Sequence, residues 1–392
     1  MTARQRSILA VALVTQGISV GLVYAVPPVF LEALEETFDA TRTQIAAGPI
    51  LIMLGLTAGS LSAGAALDRG YGRRVVLGGA LLLCAGLLVA SAASNLWLLG
   101  LASIALGFAV PSVGPLAGAS LVTRAFDEGR GRALGLMSMG PPLGSGLFAA
   151  LAGWSLLEIG LRESFLLFAA IAFLAIVPLA WLVVPVRFER KKADEANASG
   201  VSMGDVLRMP VFWWTAGVFA LSAGVATGWT AHAGAYFGGV GFGDGERAGV
   251  LAAQFWMGVP GAFAFGFLAD RFSVTNLFVL LLFSEALVYG LFALSPSPSV
   301  AAGLAIAFGF LVGGMIPLYM VLLGRRMGAD ALGRAMGLSN LVMLPLMSLA
   351  VMIAAADFER AGHYSVSLAV FSVCLIAAIV CVLGSERSAR SR

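Results

Sequence analysis

Charge is what this sequence has least of. Only 11% of its 392 residues are Asp, Glu, Lys or Arg, while 59% are hydrophobic. A soluble domain carries about 25% charged residues. No soluble fold of this length hides so much apolar surface without exposing large patches. A net charge of +3 supplies no basic field, so nucleic acid is not an expected partner. Cysteine is also scarce. Cys84, Cys374 and Cys381 all lie inside apolar runs with no CxxC pairing. They read as small buried hydrophobes, and neither a disulfide nor a metal site is expected. The zinc-protease pattern HExxH and the phosphate-binding pattern GxxxxGK[ST] are both missing, which excludes those two chemistries and direct ATP hydrolysis. No cofactor is expected, and the chain does not read as an enzyme.

What is present is a series of long apolar blocks. A membrane-spanning segment needs about 20 predominantly apolar residues. Twelve blocks qualify, at 7–31, 43–66, 74–93, 96–122, 131–157, 163–186, 210–238, 246–269, 275–294, 299–325, 331–356 and 363–384. They must be helices, because backbone polar groups in lipid have to be satisfied within their own segment. The first block follows Arg4 and Arg6 but is too long for a signal-peptide core and ends at no small-residue cleavage site. The chain is therefore expected to be an all-α polytopic membrane protein with the lipid bilayer as its solvent. The longest connection, 187–208, carries Glu189-Arg190-Lys191-Lys192-Ala193-Asp194-Glu195. It reads as a solvated cytoplasmic linker, with room for a short surface helix, between bundles at 1–186 and 209–392. Of the 24 basic residues, only Arg42, Arg162, Arg247 and Arg360 fall in the loops opposite the N-terminus. That asymmetry predicts both termini on the cytoplasmic side of a plasma (inner) membrane.

The two halves are versions of one plan. Asp68 and Asp270 lie 202 positions apart, and the same offset relates Pro115 to Pro317, Arg124 to Arg326, Arg132 to Arg334 and Gly135 to Gly337. A constant offset over such distant features means that the chain is built twice. Two parallel six-span repeats form pseudo-symmetric bundles about an axis along the membrane normal. This is one of the known plans of a secondary transporter, with the solute site near the midplane.

The stretch Gly64-Ala65-Ala66-Leu67-Asp68-Arg69-Gly70-Tyr71-Gly72-Arg73-Arg74 resembles the signature loop between helices 2 and 3 of the major facilitator superfamily. The second copy keeps Gly266, Asp270 and Arg271 but has Thr275 and Asn276 where the first has Arg73 and Arg74. The resemblance implies the superfamily's twelve-helix fold, a monomer, and rocker-switch alternating access. It also implies a cytoplasmic gate: Asp68 meets the start of helix 11 near Arg334, and Asp270 meets the start of helix 5 near Arg132. Gly64, Arg69, Gly72, Arg73 and Arg271 complete the two loops. The segment Arg124–Gly135 and the run Gly228-Trp229-Thr230-Ala231-His232 are similar to bacterial members related to monocarboxylate carriers. Gly140-Pro141-Pro142-Leu143-Gly144-Ser145 resembles the helix 5 motif of proton-linked drug antiporters, but Ser103 stands where that group has an arginine.

Ionisable groups inside a span are costly, so each is a candidate functional residue. Glu285 sits midway along the ninth block and is a candidate for reversible protonation. His232 lies in the outer part of the seventh, where an imidazole exchanges protons near neutral pH. Gln16, Tyr24, Trp229, His232, Gln254 and Trp256 are the candidate solute contacts, since a ligand cavity needs a few polar groups among apolar walls. No Lys or Arg lies at mid-depth to hold an anion. The expectation is a secondary active transporter of a small organic solute, taken to be a monocarboxylate or related organic acid moved with a proton. The alternatives are an efflux antiporter for drug-like or hydrophobic compounds and, outside transport, a membrane sensor or an intramembrane enzyme.

Overall fold

The computed structural model describes residues 1–126, 130–186, 203–327 and 329–390. Among them are twelve segments long and apolar enough to cross a membrane. Spans 1 to 6 are Ala3–Phe38, Arg42–Leu67, Gly72–Ser91, Leu96–Ala125, Ala133–Glu158 and Leu161–Val183. Spans 7 to 12 are Pro210–Val240, Asp244–Ala269, Val274–Ala293, Pro298–Met327, Leu341–Ala361 and Ser365–Ala389. Most of the linker, 187–202, lies outside the described residues, and its end forms a short helix at Met203–Arg208. The chain divides into two compact units, Met1–Arg190 with Gly243–Phe255, and Lys191–Phe242 with Trp256–Arg392. The first turns of span 8 thus belong to the first unit.

Inside each unit the repeat reappears as packing. Span 1 lies on span 5 and span 3 on span 6; correspondingly, span 7 lies on span 11 and span 9 on span 12. One contact recurs at the sequence offset itself. A methyl group on Gly59 would overlap the carbonyl of Phe108, and one on Gly261 would overlap the carbonyl of Phe310. Both partners differ by 202 positions. Small residues let helix backbones approach closely where lipid supplies no hydrophobic drive to associate.

The halves differ in backbone. Span 1 passes through Pro27-Pro28 and runs on to Phe38. A π-helical turn at Gly21–Ala25 precedes the prolines, and a new α-segment starts at Val26. Proline is tolerated in a first helical turn because its missing N–H would be unpaired there anyway. Span 4 is broken outright. An α-segment ends at Val113, Gly114 takes φ −102° and ψ −133°, and a second segment starts at Pro115. Span 5 is preceded by a helix at Arg130–Met137 and restarts at Gly140. The counterparts in the second half do not break. Spans 7 and 10 are single α-helices, and span 11 lies in one continuous helix, Ala329–Ala361. Pro317, the counterpart of Pro115, sits inside the helix Pro298–Met327. The residue before proline is biased away from the α-region. Glycine at 114 gives way to that bias, whereas the matching Ile316 stays helical.

Candidate functional site

The first signature loop is a tight turn. Tyr71 N–H donates to the Ala66 carbonyl, and Gly70 takes φ 85°, a left-handed conformation that only glycine adopts freely. Gly64 and Gly72 flank the turn, and Arg69 is exposed beside it. Arg73 donates from Nε to the Val184 carbonyl at 2.7 Å and stands 5.6 Å from the Trp181 ring centre. It therefore fastens span 3 to the end of span 6. In the second loop Arg271 lies 4.3 Å from the ring centre of Phe267. Thr275, in the place of Arg73, accepts instead from Arg326 at 2.9 Å, and Arg326 also approaches Glu386 at 4.0 Å. Asp68, Arg132, Asp270 and Arg334 lie on helical backbone, but their side chains fall outside the described residues.

In the first unit, Gln16 is only 4% exposed and its Oε1 has no hydrogen-bond partner among the described residues. A Cβ on Gly118 of span 4 would stand 3.5 Å from that oxygen. Tyr24 belongs to the π-helical turn and is half-buried. Gln254 is buried. The helix 5 motif has a packing role: methyl groups on Gly140 or Gly144 would collide with the backbone of span 1 at Leu13 and Gly17. At the start of span 8, Arg247 pairs with Asp244 and with Glu32 of span 1, the latter at 2.5 Å. Sequence reasoning missed Glu32, whose partner is 215 positions away. The run Gly17-Ile18-Ser19-Val20-Gly21 spells the GxSxG pattern of a nucleophilic serine. Ser19 is fully buried and its hydroxyl donates to the Gln16 carbonyl, so it offers no exposed nucleophile.

The second unit holds the most elaborate cluster. His232, only 3% exposed, places Nε2 3.1 Å from the Val351 carbonyl oxygen of span 11. Its Nδ1 is 3.4 Å from the hydroxyl of Tyr364, just before span 12. Tyr236, one turn further along span 7, donates to the Phe292 carbonyl at 2.9 Å. These side chains and Trp229, Ala354, Ser367 and Phe371 line a cavity with room for about one water molecule. Trp229 is packed among Tyr236, Phe237, Tyr289, Phe292 and Phe308 and serves as a core aromatic. Trp256 is 46% exposed. Glu285 is 2% exposed and lies on span 9, which packs on spans 10 and 12. Its Oε1 and the hydroxyl of Tyr289, one turn along, are buried with no hydrogen-bond partner among the described residues. His363 is exposed. Sequence reasoning found His232 but missed Tyr364 and Tyr289. The spacing of Tyr289 from Glu285, four residues on one helix face, was the available signal.

A family model described as Major Facilitator Superfamily matches residues 10–352. None of the curated protein sequences matches the chain significantly. Among solved structures the chain is similar to a bacterial homologue of the human lysosomal transporter Spinster. In that protein's inward-facing, unoccupied form the TM-score is 0.78 at 15% identity, covering 99% of this chain and 98% of the other. In its inward-facing, occupied form the TM-score is 0.76, with the same identity and coverage. At that identity the likeness concerns the fold.

Proposed function

The chain belongs to the Major Facilitator Superfamily, as an integral multi-pass membrane protein and secondary transporter, and from that premise we propose that it carries a small organic acid together with a proton. The observation that carries this reading is His232. It is a buried, hydrogen-bonded imidazole on span 7 beside a cavity too small for an organic solute. A group so placed can hold a proton but cannot enclose a carboxylate. Gln16, with its unpartnered buried oxygen, and Tyr24, on an irregular turn of span 1, are the solute contacts this reading favours. Gln254 and Trp256 on span 8 are the further ones. π-Helical turns recur at functional sites, which supports Tyr24 in this role. Asp68 with Arg334 and Asp270 with Arg132 are assigned to the cytoplasmic gate, with both termini cytoplasmic in the plasma membrane. The bundles 1–186 and 209–392 rock about the solute as two halves of a monomer.

The test is thermal unfolding of the purified protein in detergent against small aliphatic monocarboxylates, neutral metabolites and cationic amphiphiles at pH 5.5 and 7.5. A ligand that binds only the folded state raises the melting temperature by mass action. Stabilisation by carboxylates, stronger at pH 5.5, is the expected result. Stabilisation only by apolar or cationic amphiphiles contradicts it and moves the protein to drug efflux.

A further inference from the structure

We propose that Tyr364 is the positioning residue that lets His232 gain and lose a proton without breaking its hydrogen bonds. This deepens the reading of His232 as the coupling site and rests on it. The argument begins at Nε2. Its partner, the Val351 carbonyl 3.1 Å away, can only accept, so Nε2 carries a hydrogen whether the ring is neutral or charged. Every change of protonation therefore falls on Nδ1, which faces the Tyr364 hydroxyl at 3.4 Å. A hydroxyl both donates and accepts. In the neutral ring Tyr364 O–H donates to the Nδ1 lone pair. When a proton from the aqueous phase binds, the N–H bond forms at Nδ1 and donates to Tyr364 Oη. The hydroxyl hydrogen then turns away, and the adjacent cavity has room for the one water that would accept it. No bond between heavy atoms forms or breaks, and the proton is released by the reverse step.

Tyr364 is held independently of His232. Its ring stacks on Phe358 at 5.1 Å between centres, and its carbonyl accepts from the Ser367 hydroxyl at 2.9 Å. The Ser367 N–H in turn donates to Asp357 at 2.7 Å, tying the end of span 11 to the start of span 12. The imidazole therefore rides on span 7, while Val351 rides on span 11 and Tyr364 on the connection into span 12. Other titratable groups near it come from spans 7, 9 and 11. Tyr236 on span 7 is bonded to Phe292, and Asp357 on span 11 is bonded to Ser367. Glu285 and Tyr289 come from span 9.

The chain has only two histidines, which makes the test direct. Protein labelled with ¹⁵N-histidine and carrying His363→Gln reports His232 alone by NMR. The expected wild-type spectrum in the neutral state is the Nε2–H tautomer with a hydrogen-bonded Nδ1. Tyr364→Phe should move only the Nδ1 resonance, to the position of a free acceptor. It should also lower proton-driven uptake of a small monocarboxylate at least tenfold with KM within twofold. An Nδ1–H tautomer in the wild-type protein overturns the proposal, and needs no variant to fold. So does an Nδ1 resonance that Tyr364→Phe leaves in place. If the tautomer and the shift are both found but uptake ignores the proton gradient, the positioning stands and the coupling reading fails.

Discussion

Span 4 is broken at Gly114, and span 10, built on the same plan, is not. The contrast extends to both halves. The first departs from regular helix in spans 1 and 4 and at the start of span 5, and packs them through Gly17, Gly21, Gly140 and Gly144. The second keeps the matching helices continuous and concentrates its departures in side chains: His232, Tyr364, Glu285 and Tyr289. The backbone breaks gather in the first half, and the buried ionisable groups His232 and Glu285 in the second. A duplicated fold can diverge in this way because close packing tolerates either a missing side chain or a polar one that finds a partner.

Exchanging residues between the halves tests the contrast. The largest effect is expected at Gly144, where the second half has Leu346. A side chain there runs into the backbone of Gly17, so Gly144→Leu should cost at least about 3 kcal/mol, read as lost thermal stability in detergent. Wild-type stability in that variant would mean that spans 1 and 5 are not in close contact. Next is Gly114→Ile, which copies Ile316. A Cβ at 114 would lie 2.7 Å from the Val110 carbonyl and 2.9 Å from the Ser19 hydroxyl, and about 2 kcal/mol of stability should be lost.

Two of the following substitutions separate the buried ionisable groups of the second half. His232→Gln should reduce proton-driven uptake about tenfold, equivalent to ~1.4 kcal/mol. Glu285→Gln should leave uptake within twofold, because Glu285 does not line the cavity. The opposite ranking in a proteoliposome assay would transfer the coupling role to span 9. The smallest effect is expected for Ile316→Gly. Ile316 is exposed on a continuous helix, so glycine there should cost only about 1 kcal/mol, measured by the same thermal unfolding.

The span number and the repeat were legible in the sequence, because hydropathy and a constant offset survive over hundreds of residues. The breaks were less so. Spans 4 and 10 both contain glycine and proline, but span 4 has Pro111 and Gly114 where span 10 has Gly313 and Ile316. The π-helical turn at Gly21–Ala25, just ahead of Pro27-Pro28, carries no sequence pattern that marks it. His232 stood out as a rare ionisable group in an apolar run, whereas Tyr364 lies 132 positions away, in a loop position with no periodic signal. Glu32 was hidden from sequence reasoning for the same reason. The identity of the solute was not legible, since a cavity with apolar walls and a few amides and rings fits many small molecules.

Proton and carboxylate flux measured together in proteoliposomes test the account most directly. With an acid exterior, the wild-type protein should accumulate the carboxylate above equilibrium and lose it when a protonophore collapses the gradient. His232→Gln should lose that accumulation while still exchanging labelled for unlabelled solute. Accumulation by His232→Gln equal to wild type, driven by the same gradient, would contradict the account.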